Sequence, residues 1–369
     1  MTAVHLLGIG TATPAHGLTQ ADAAMLACAL SGHEEEQSRL VAALYRRSGV
    51  KTRRFAVLES AAAGVTAAIE AQQLYAPAVA GDAATGRGPG TARRMDAYAR
   101  LAAPLALRAA QSALEASATE APAITHLVTV SCTGFAAPGV DIALIRALGL
   151  DAGVERAHVG FMGCQGALNG LRVARALALT SPDVRVLLCC VELCGLHLQY
   201  SGEPDLVVAN SLFADGAAAA VVGTAGRAGT WRLAASGAVL LPDSLDAMTW
   251  SIGDHGFTMT LSPKVPALIE AHLGPWLRKW LARHGLAIGD VASWAIHPGG
   301  TRVVAAVERA LGLDAGAGAA AREVLAEHGN MSSPTVLFVL ERLRARGAGP
   351  PCVALAFGPG LSVETALLA

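Results

Sequence analysis

The feature that most constrains the fold is Val184–Val191 (VRVLLCCV), an apolar run of strand length broken only by Arg185. A strand without polar alternation has no face left for water, so it belongs inside a sheet covered on both sides. Further strand-like stretches recur at residues 4–10, 126–131, 217–223, 231–240, 292–297, 353–357 and 361–367. Ala- and Leu-rich helical stretches lie between them at 19–48, 62–79, 92–118, 139–148, 263–284, 301–311, 319–327 and 333–345. Residues 11–14 are turn-rich, and 80–91 (AGDAATGRGPGT) form the clearest loop, since Gly and Pro interrupt any regular pattern. Strands alternating with helices predict an α/β architecture with extensively covered sheets.

Composition sets the remaining bounds. Hydrophobic residues make up 53% of the 369 and charged residues 15%, which suits a large core and excludes disorder as the main state. At ~150 residues per domain the length suggests two or three domains or one fused unit, with a soft boundary near 223–230 (GTAGRAGT). A net charge of -1 offers no basic face for nucleic acid. No uncharged apolar run reaches ~18 residues, so no integral membrane segment is expected. The N-terminus lacks the basic-then-apolar pattern of a signal peptide. Seven cysteines, an odd number without a secretion signal, point to reduced thiols and a cytoplasmic protein.

Chemistry concentrates at three places. Within residues 157–180 (AHVGFMGCQGALNGLRVARALALT), Cys164 falls at a strand-to-helix turn, behind Gly160 and Gly163 and ahead of a helical pattern carrying Leu168, Leu171, Ala174 and Leu177. Unpaired backbone N–H groups and the macrodipole at a helix start stabilise a thiolate. Taken alone, the same residue reads equally as a small buried hydrophobe, the plainer role for Cys28, Cys189, Cys190 and Cys352. His297 closes an apolar strand ahead of Pro298-Gly299-Gly300. Asn330 lies in a turn that opens another helix, where an N-cap is the plainer role. Brought together, the three would supply a nucleophile, an acid/base and a second oxyanion donor.

Other signals are rejected. Gly8-Ile9-Gly10-Thr11 has Thr13 where a dinucleotide fingerprint needs its third glycine. Cys189, Cys190 and Cys194 lack a C-x-x-C pair and the histidines lack ligand spacing, so no metal site is expected. Glu34–Glu36 and Arg46-Arg47 read as solvated helix faces.

Six segments recur in order along nearly the whole chain: Gly8–Pro14 (GIGTATP), Cys164 in its turn, Ser211–Ala219 (SLFADGAAA), Ile296–Gly300 (IHPGG), Gly329–Ser333 (GNMSS) with Pro334–Leu340 behind it, and Phe357–Gly360 (FGPG). On these segments the chain resembles a type III polyketide synthase of the chalcone/stilbene synthase-like branch of the thiolase superfamily. The resemblance implies a five-layered αβαβα fold of two duplicated halves, residues 1–225 carrying the nucleophilic Cys and residues 226–369 the His and Asn, in a homodimer. It implies Cys164, His297 and Asn330 as a catalytic triad, with the Cys164 thiolate paired to an imidazolium-like His297. The reaction it implies is iterative decarboxylative Claisen condensation of malonyl-CoA onto an acyl-CoA starter, with no metal or redox cofactor.

By position, Phe213 matches the first gatekeeper phenylalanine, and Met259, in Gly256–Leu261 (GFTMTL), stands where the second is usual. Arg47 alone matches the family's basic contacts to coenzyme A, the two earlier ones falling near Leu40 and Ala43. The cavity-lining positions are Cys132, Thr133, Ala137, Cys194, His197 and Trp250. Thr133, Ala137 and Cys194 are similar to bacterial relatives that admit a long acyl chain through an apolar tunnel. A medium- or long-chain fatty acyl starter and an alkylpyrone or alkylresorcinol product follow as expectations, with an acyl carrier protein as an alternative starter donor. The alternatives are a single-condensation enzyme like β-ketoacyl-acyl-carrier-protein synthase III, and an aromatic-starter chalcone/stilbene synthase-like enzyme.

Overall fold

The computed structural model describes residues 2–79 and 86–369; positions 80–85 of the expected 80–91 loop lie outside the described residues. The first half contains β1 (His5–Ala12), β2 (Gly17–Thr19), α1 (Gln20–Ser31), α2 (Glu35–Arg47), β3 (Thr52–Arg54), α3 (Val65–Glu70) and α4 (Thr91–Ser117). It continues through β4 (His126–Ser131), α5 (Val140–Leu148), β5 (Glu155–Gly160), α6 (Gly166–Ala178), β6 (Arg185–Leu193), α7 (Pro204–Leu212) and β7 (Asp215–Gly223). The second half runs β8 (Trp231–Leu240), β9 (Met248–Gly253), β10 (Gly256–Leu261), α8 (Val265–Ala282) and β11 (Ser293–Ile296). It ends with α9 (Thr301–Leu311), α10 (Ala319–His328), α11 (Thr335–Ala345), β12 (Cys352–Gly358) and β13 (Ser362–Leu368).

The sheet order β11-β12-β13-β8-β1-β7-β6-β4-β5 displays the duplication. In each half the first strand pairs antiparallel with the last (β1 with β7, β8 with β13) and the last with the penultimate (β6, β12). The penultimate strand then neighbours the second strand that its half contributes to this sheet, and both of these pairs, β4·β6 and β11·β12, run parallel. The first half adds β5 at the edge. Among the described residues the second half has no counterpart, because α9, α10 and α11 follow one another directly. The halves join through β1 and β8, which pair at His5–Arg232 and Leu6–Trp231.

Five layers result. α4 covers β1, β7 and β6 from outside. α6 and α11 each touch strands of both halves and form the middle layer. α8 and α9 share one apolar cluster with β8 and β11–β13 and cover the other side. The apolar run that predicted a central strand is β6, buried along its length except at Arg185. Gly8 and Gly10 lie inside β1 with the backbone of α4 against them, a built Cβ on Gly8 meeting Ser117 N at 2.5 Å. Those glycines and the alanines of α4, among them Ala109, Ala110 and Ala113, let helix and strand approach closely. The GIGTA segment is a packing device.

Local differences from expectation have local causes. The stretch 19–48 is two helices, because Gly32 adopts the left-handed conformation that ends α1. Of 62–79 only Val65–Glu70 is helical, and part of the 11–14 turn belongs to β1. The β9–β10 hairpin and α7 had no expected counterpart, their residues lacking strong periodicity.

Candidate active site

Cys164 sits where β5 turns into α6. Phe161 and Gly163 both take positive φ, 61° and 65°, so the chain reverses within four residues of the strand end. A Cβ on Gly163 would stand 2.6 Å from Pro359 Cδ, which makes this position glycine on two counts. One 3-10 turn, Gly163–Gln165, leads into α6, so Cys164 lies at the helix start as its sequence context predicts, 5% exposed.

The second half supplies the other two groups. His297 follows β11, its N–H continuing the parallel ladder to Leu355 O (2.8 Å). It is 1% exposed, and neither ring nitrogen has a hydrogen-bond partner in the protein. A buried unpaired imidazole costs stability, which marks it as held open for something else. Asn330 follows Gly329 (φ 74°) and exchanges backbone hydrogen bonds across Phe213, donating to Leu212 O (2.8 Å) and accepting from Ala214 N–H (2.9 Å). Its side-chain Oδ1 accepts the Ser332 N–H at 2.8 Å. That fixes the amide and leaves Nδ2 facing Cys164 Sγ at 3.9 Å.

Cys164, His297 and Asn330 line one small cavity together with Leu212, Gly299 and Phe357. Phe213 and Met259 line both this cavity and a larger, mostly apolar one, so the two expected gate residues stand where the cavities meet. The larger cavity also takes in Cys132, Thr133, Cys194, His197 and Trp250, five of the six expected lining residues. Ala137 does not join them. The loop after β4 carries it outward, where it is exposed and lines a separate cavity with Tyr98, Phe135 and His158. Arg47 ends α2, exposed, with no ion pair among the described residues.

Electrostatics differ from the expected thiolate–imidazolium pair. Burial pushes the Cys164 thiol up to about 11, against the pull of hydrogen bonds from Ser332 and Asn330. Burial also drives His297 down to about 3. At neutral pH both groups are therefore uncharged. Burial drives His197 down to about 3 as well. Its Nδ1 accepts the Phe257 N–H (2.9 Å), so Nε2 carries the proton and donates to Thr133 O (2.7 Å). The ring stacks on Phe257 at 4.3 Å and packs edge-on to Trp250, whose Nε1 donates to Cys132 O. It is a fixed wall.

Two further residues shape the site. Glu192, fully buried at the end of β6, accepts from Cys132 N–H (2.9 Å), Thr133 Oγ1 (2.7 Å) and Ser333 Oγ (2.6 Å). Burial raises its pKa and these donors oppose the rise. Arg53, 3% exposed, donates to Phe213 O (2.7 Å), Asn210 O (2.6 Å) and Gln20 Oε1 (3.0 Å), and its guanidinium lies over the rings of Tyr45 and Phe55. Sequence reasoning missed both. Glu192 had a usable signal, a carboxylate directly behind a buried strand, which must be met by donors. Arg53 looked like any residue of a surface TRR triplet.

The chain is similar to known proteins along nearly its whole length. The family model described as chalcone and stilbene synthases, N-terminal domain, matches residues 2–226, and its C-terminal companion matches 232–369. The alpha-pyrone synthesis polyketide synthase-like Pks18 of Mycobacterium tuberculosis is 34% identical over 367 residues, covering 97% of this chain and 88% of the relative. A 1,3,6,8-tetrahydroxynaphthalene synthase from Streptomyces peucetius subsp. caesius is 36% identical over 367 residues, 98% and 91% of the two chains. The crystal structure of PKS-I from the brown alga Ectocarpus siliculosus superposes with a TM-score of 0.89 at 31% identity, covering 99% of this chain and 98% of that one.

Proposed function

The chain belongs to the chalcone and stilbene synthase family and is a type III polyketide synthase with a thiolase-like fold, and from that membership we propose that it primes itself with a medium- or long-chain fatty acyl-CoA and releases an alkylpyrone or alkylresorcinol. Enzymes of this family are acyltransferases that work on coenzyme A thioesters and need no further cofactor. The observation that carries the finer reading is the larger cavity. Its lining includes Gly163, Cys132, Cys194 and His197 together with Leu26 and Leu30, and is mainly apolar. Such a wall suits an alkyl chain, each buried methylene contributing ~0.8 kcal/mol. Pks18, a relative named for alpha-pyrone synthesis, supports the same product class.

The placement of these residues supports the following roles. Cys164 gives its proton to His297 and attacks the acyl thioester; free coenzyme A leaves with that proton. Asn330 Nδ2 and the His297 ring then hydrogen-bond the malonyl thioester oxygen, where negative charge gathers as the C–C bond to the carboxylate breaks and carbon dioxide departs. Preorganised donors act most strongly on such charge, each worth about 10²–10³ in rate. The resulting carbanion attacks the Cys164 thioester, and the sulfur leaves as thiolate. That thiolate attacks the longer chain's coenzyme A thioester, releasing coenzyme A and reloading Cys164 for the next round. Phe213 and Met259 form an apolar gate, and Arg47 meets the phosphates of coenzyme A.

We take residues 1–225 and 226–369 as the two halves, and a cytoplasmic homodimer as the working state. Among the described residues β5 is an exposed edge strand paired with β4 alone, a template for pairing with a second copy.

Mass spectrometry of products from malonyl-CoA and a panel of acyl-CoA starters tests the reading. Octanoyl to hexadecanoyl starters are expected to give products with two or more extensions. Far faster turnover of coumaroyl-CoA would refute the acyl assignment, and one extension per product would favour the single-condensation alternative. Cys164→Ala is expected to abolish product, and normal product from it would refute the nucleophile.

A further inference from the structure

We propose that helix α1 is the stop that limits acyl-chain length, with Ala27 and Leu30 as its specificity-determining residues. The inference rests on the fatty acyl reading above and goes beyond it by naming the wall that measures the chain. Gly163, next to Cys164, lies on the same cavity as Ala23, Leu26, Ala27 and Leu30 of α1. Residues 23, 26, 27 and 30 recur at helical spacing, so α1 turns one continuous face to the cavity. No polar side chain interrupts that face.

The wall is rigid. Thr19 caps α1 by accepting the Asp22 N–H (3.1 Å), and Gly32 closes it in the left-handed conformation. At its first turn Gln20 donates to Ser211 O (2.7 Å) and Ser48 Oγ (2.9 Å), tying α1 to the elements beside Phe213. At its last turn Leu30 O accepts the Ala78 N–H (2.8 Å), and Leu30 is 1% exposed. A well-packed wall yields little to a longer ligand, because overpacking a close-packed interior strains it. Ala27 is a small residue on this face and Leu30 a large one, so substitutions at the two positions act in opposite directions.

The experiment uses the purified full-length enzyme with saturated acyl-CoA starters from butyryl to octadecanoyl, reading kcat/KM by coenzyme A release and product length by mass spectrometry. In Ala27→Phe the kcat/KM ratio of hexadecanoyl to octanoyl starter falls about tenfold or more, since each methylene denied its place costs about fourfold. In Leu30→Ala the same ratio rises and the preferred starter lengthens by about two carbons. An unchanged ratio in both variants, or equal losses at every length, overturns the proposal. Should Ala27→Phe fail to fold, Leu30→Ala decides alone, an unchanged ratio being the refuting result. Where the wild type rejects every starter beyond butyryl, the fatty acyl reading fails instead, and that outcome is read from the wild type before either variant is compared.

Discussion

Gly163→Ala isolates what the nucleophile turn requires. Gly163 has φ 65°, and Gly149, at the end of α5, has φ 67°. An Ala at either position must enter the left-handed region, which costs about 1–2 kcal/mol. Their surroundings differ. A Cβ on Gly149 meets nothing within 4 Å, whereas one on Gly163 stands 2.6 Å from Pro359 Cδ and 3.2 Å from Pro359 Cγ. Pro359 belongs to the FGPG segment, where Gly358 in turn leaves no room beside Gln165 and Met162 O. The clash cannot be relieved by a rotamer change, and forced overpacking adds about 1–3 kcal/mol. Gly163→Ala should therefore cost about 2–5 kcal/mol and Gly149→Ala about 1–2 kcal/mol, both read from urea unfolding. The larger loss should come with a fall in acyl transfer of about 10²-fold, since a 1 Å misplacement of a reacting group costs that much. Iodoacetamide labelling of Cys164 reports the same displacement without turnover. Equal stability losses in the two variants, with wild-type labelling and activity in Gly163→Ala, would refute the reasoning.

Arg53→Met leaves Phe213 O and Asn210 O without their side-chain donor, costing about 1–3 kcal/mol for each stranded carbonyl; urea unfolding measures the loss, and a cost under about 0.5 kcal/mol counts against Arg53 as the brace of the gate. Asp215 is buried, accepts from Ala56 N–H and Gly195 N–H, and burial pushes its carboxyl up to about 7 from 3.8. Between those values the native chain holds a proton that the unfolded chain has released, so stability falls as pH rises through that window. Asp215→Asn should flatten that slope, as read from urea midpoints at three pH values, and an identical slope in variant and wild type would show that another group governs it.

How much was legible in the sequence depended on whether a residue's surroundings were local. β4 and β8 match their expected bounds because their apolar patterns are bounded by turn residues in sequence. Cys164 was legible as a helix-start thiol for the same reason. What surrounds it was not. The Asn330 amide is oriented by Ser332, which is local, but it faces a sulfur 166 positions away. Glu192 gathers donors from Cys132, Thr133 and Ser333, and Arg53 reaches Asn210 and Phe213. None of these pairings leaves a mark in a sequence window. Ala137, a position assigned to the cavity by resemblance, lies on a loop that carries it to the surface of this chain, a placement no sequence window reveals.

The electrostatics of the site explain why its parts sit where they do. Burial that pushes Cys164 up to about 11 and His297 down to about 3 opposes the thiolate that the proposed mechanism needs. A buried cation could offset it, but a fixed charge beside the sulfur would also hold the malonyl carboxylate and resist loss of carbon dioxide. Dipoles do not have that fault. The start of α6 places backbone N–H groups and the positive end of the helix at Cys164, and the Asn330 amide adds a donor aimed at the sulfur. Both favour a small anion at one point while leaving a carboxylate beyond it weakly held, and in a dry cavity oriented dipoles act at full strength without reorganising. The middle layer is where the fold can offer this. α6 and α11 occupy corresponding places in the two halves, each preceding the penultimate strand, and both touch strands of both halves. The duplicated fold therefore brings the Cys164 turn of one half beside the Asn330 turn of the other, and a single unduplicated half would hold only one of the two.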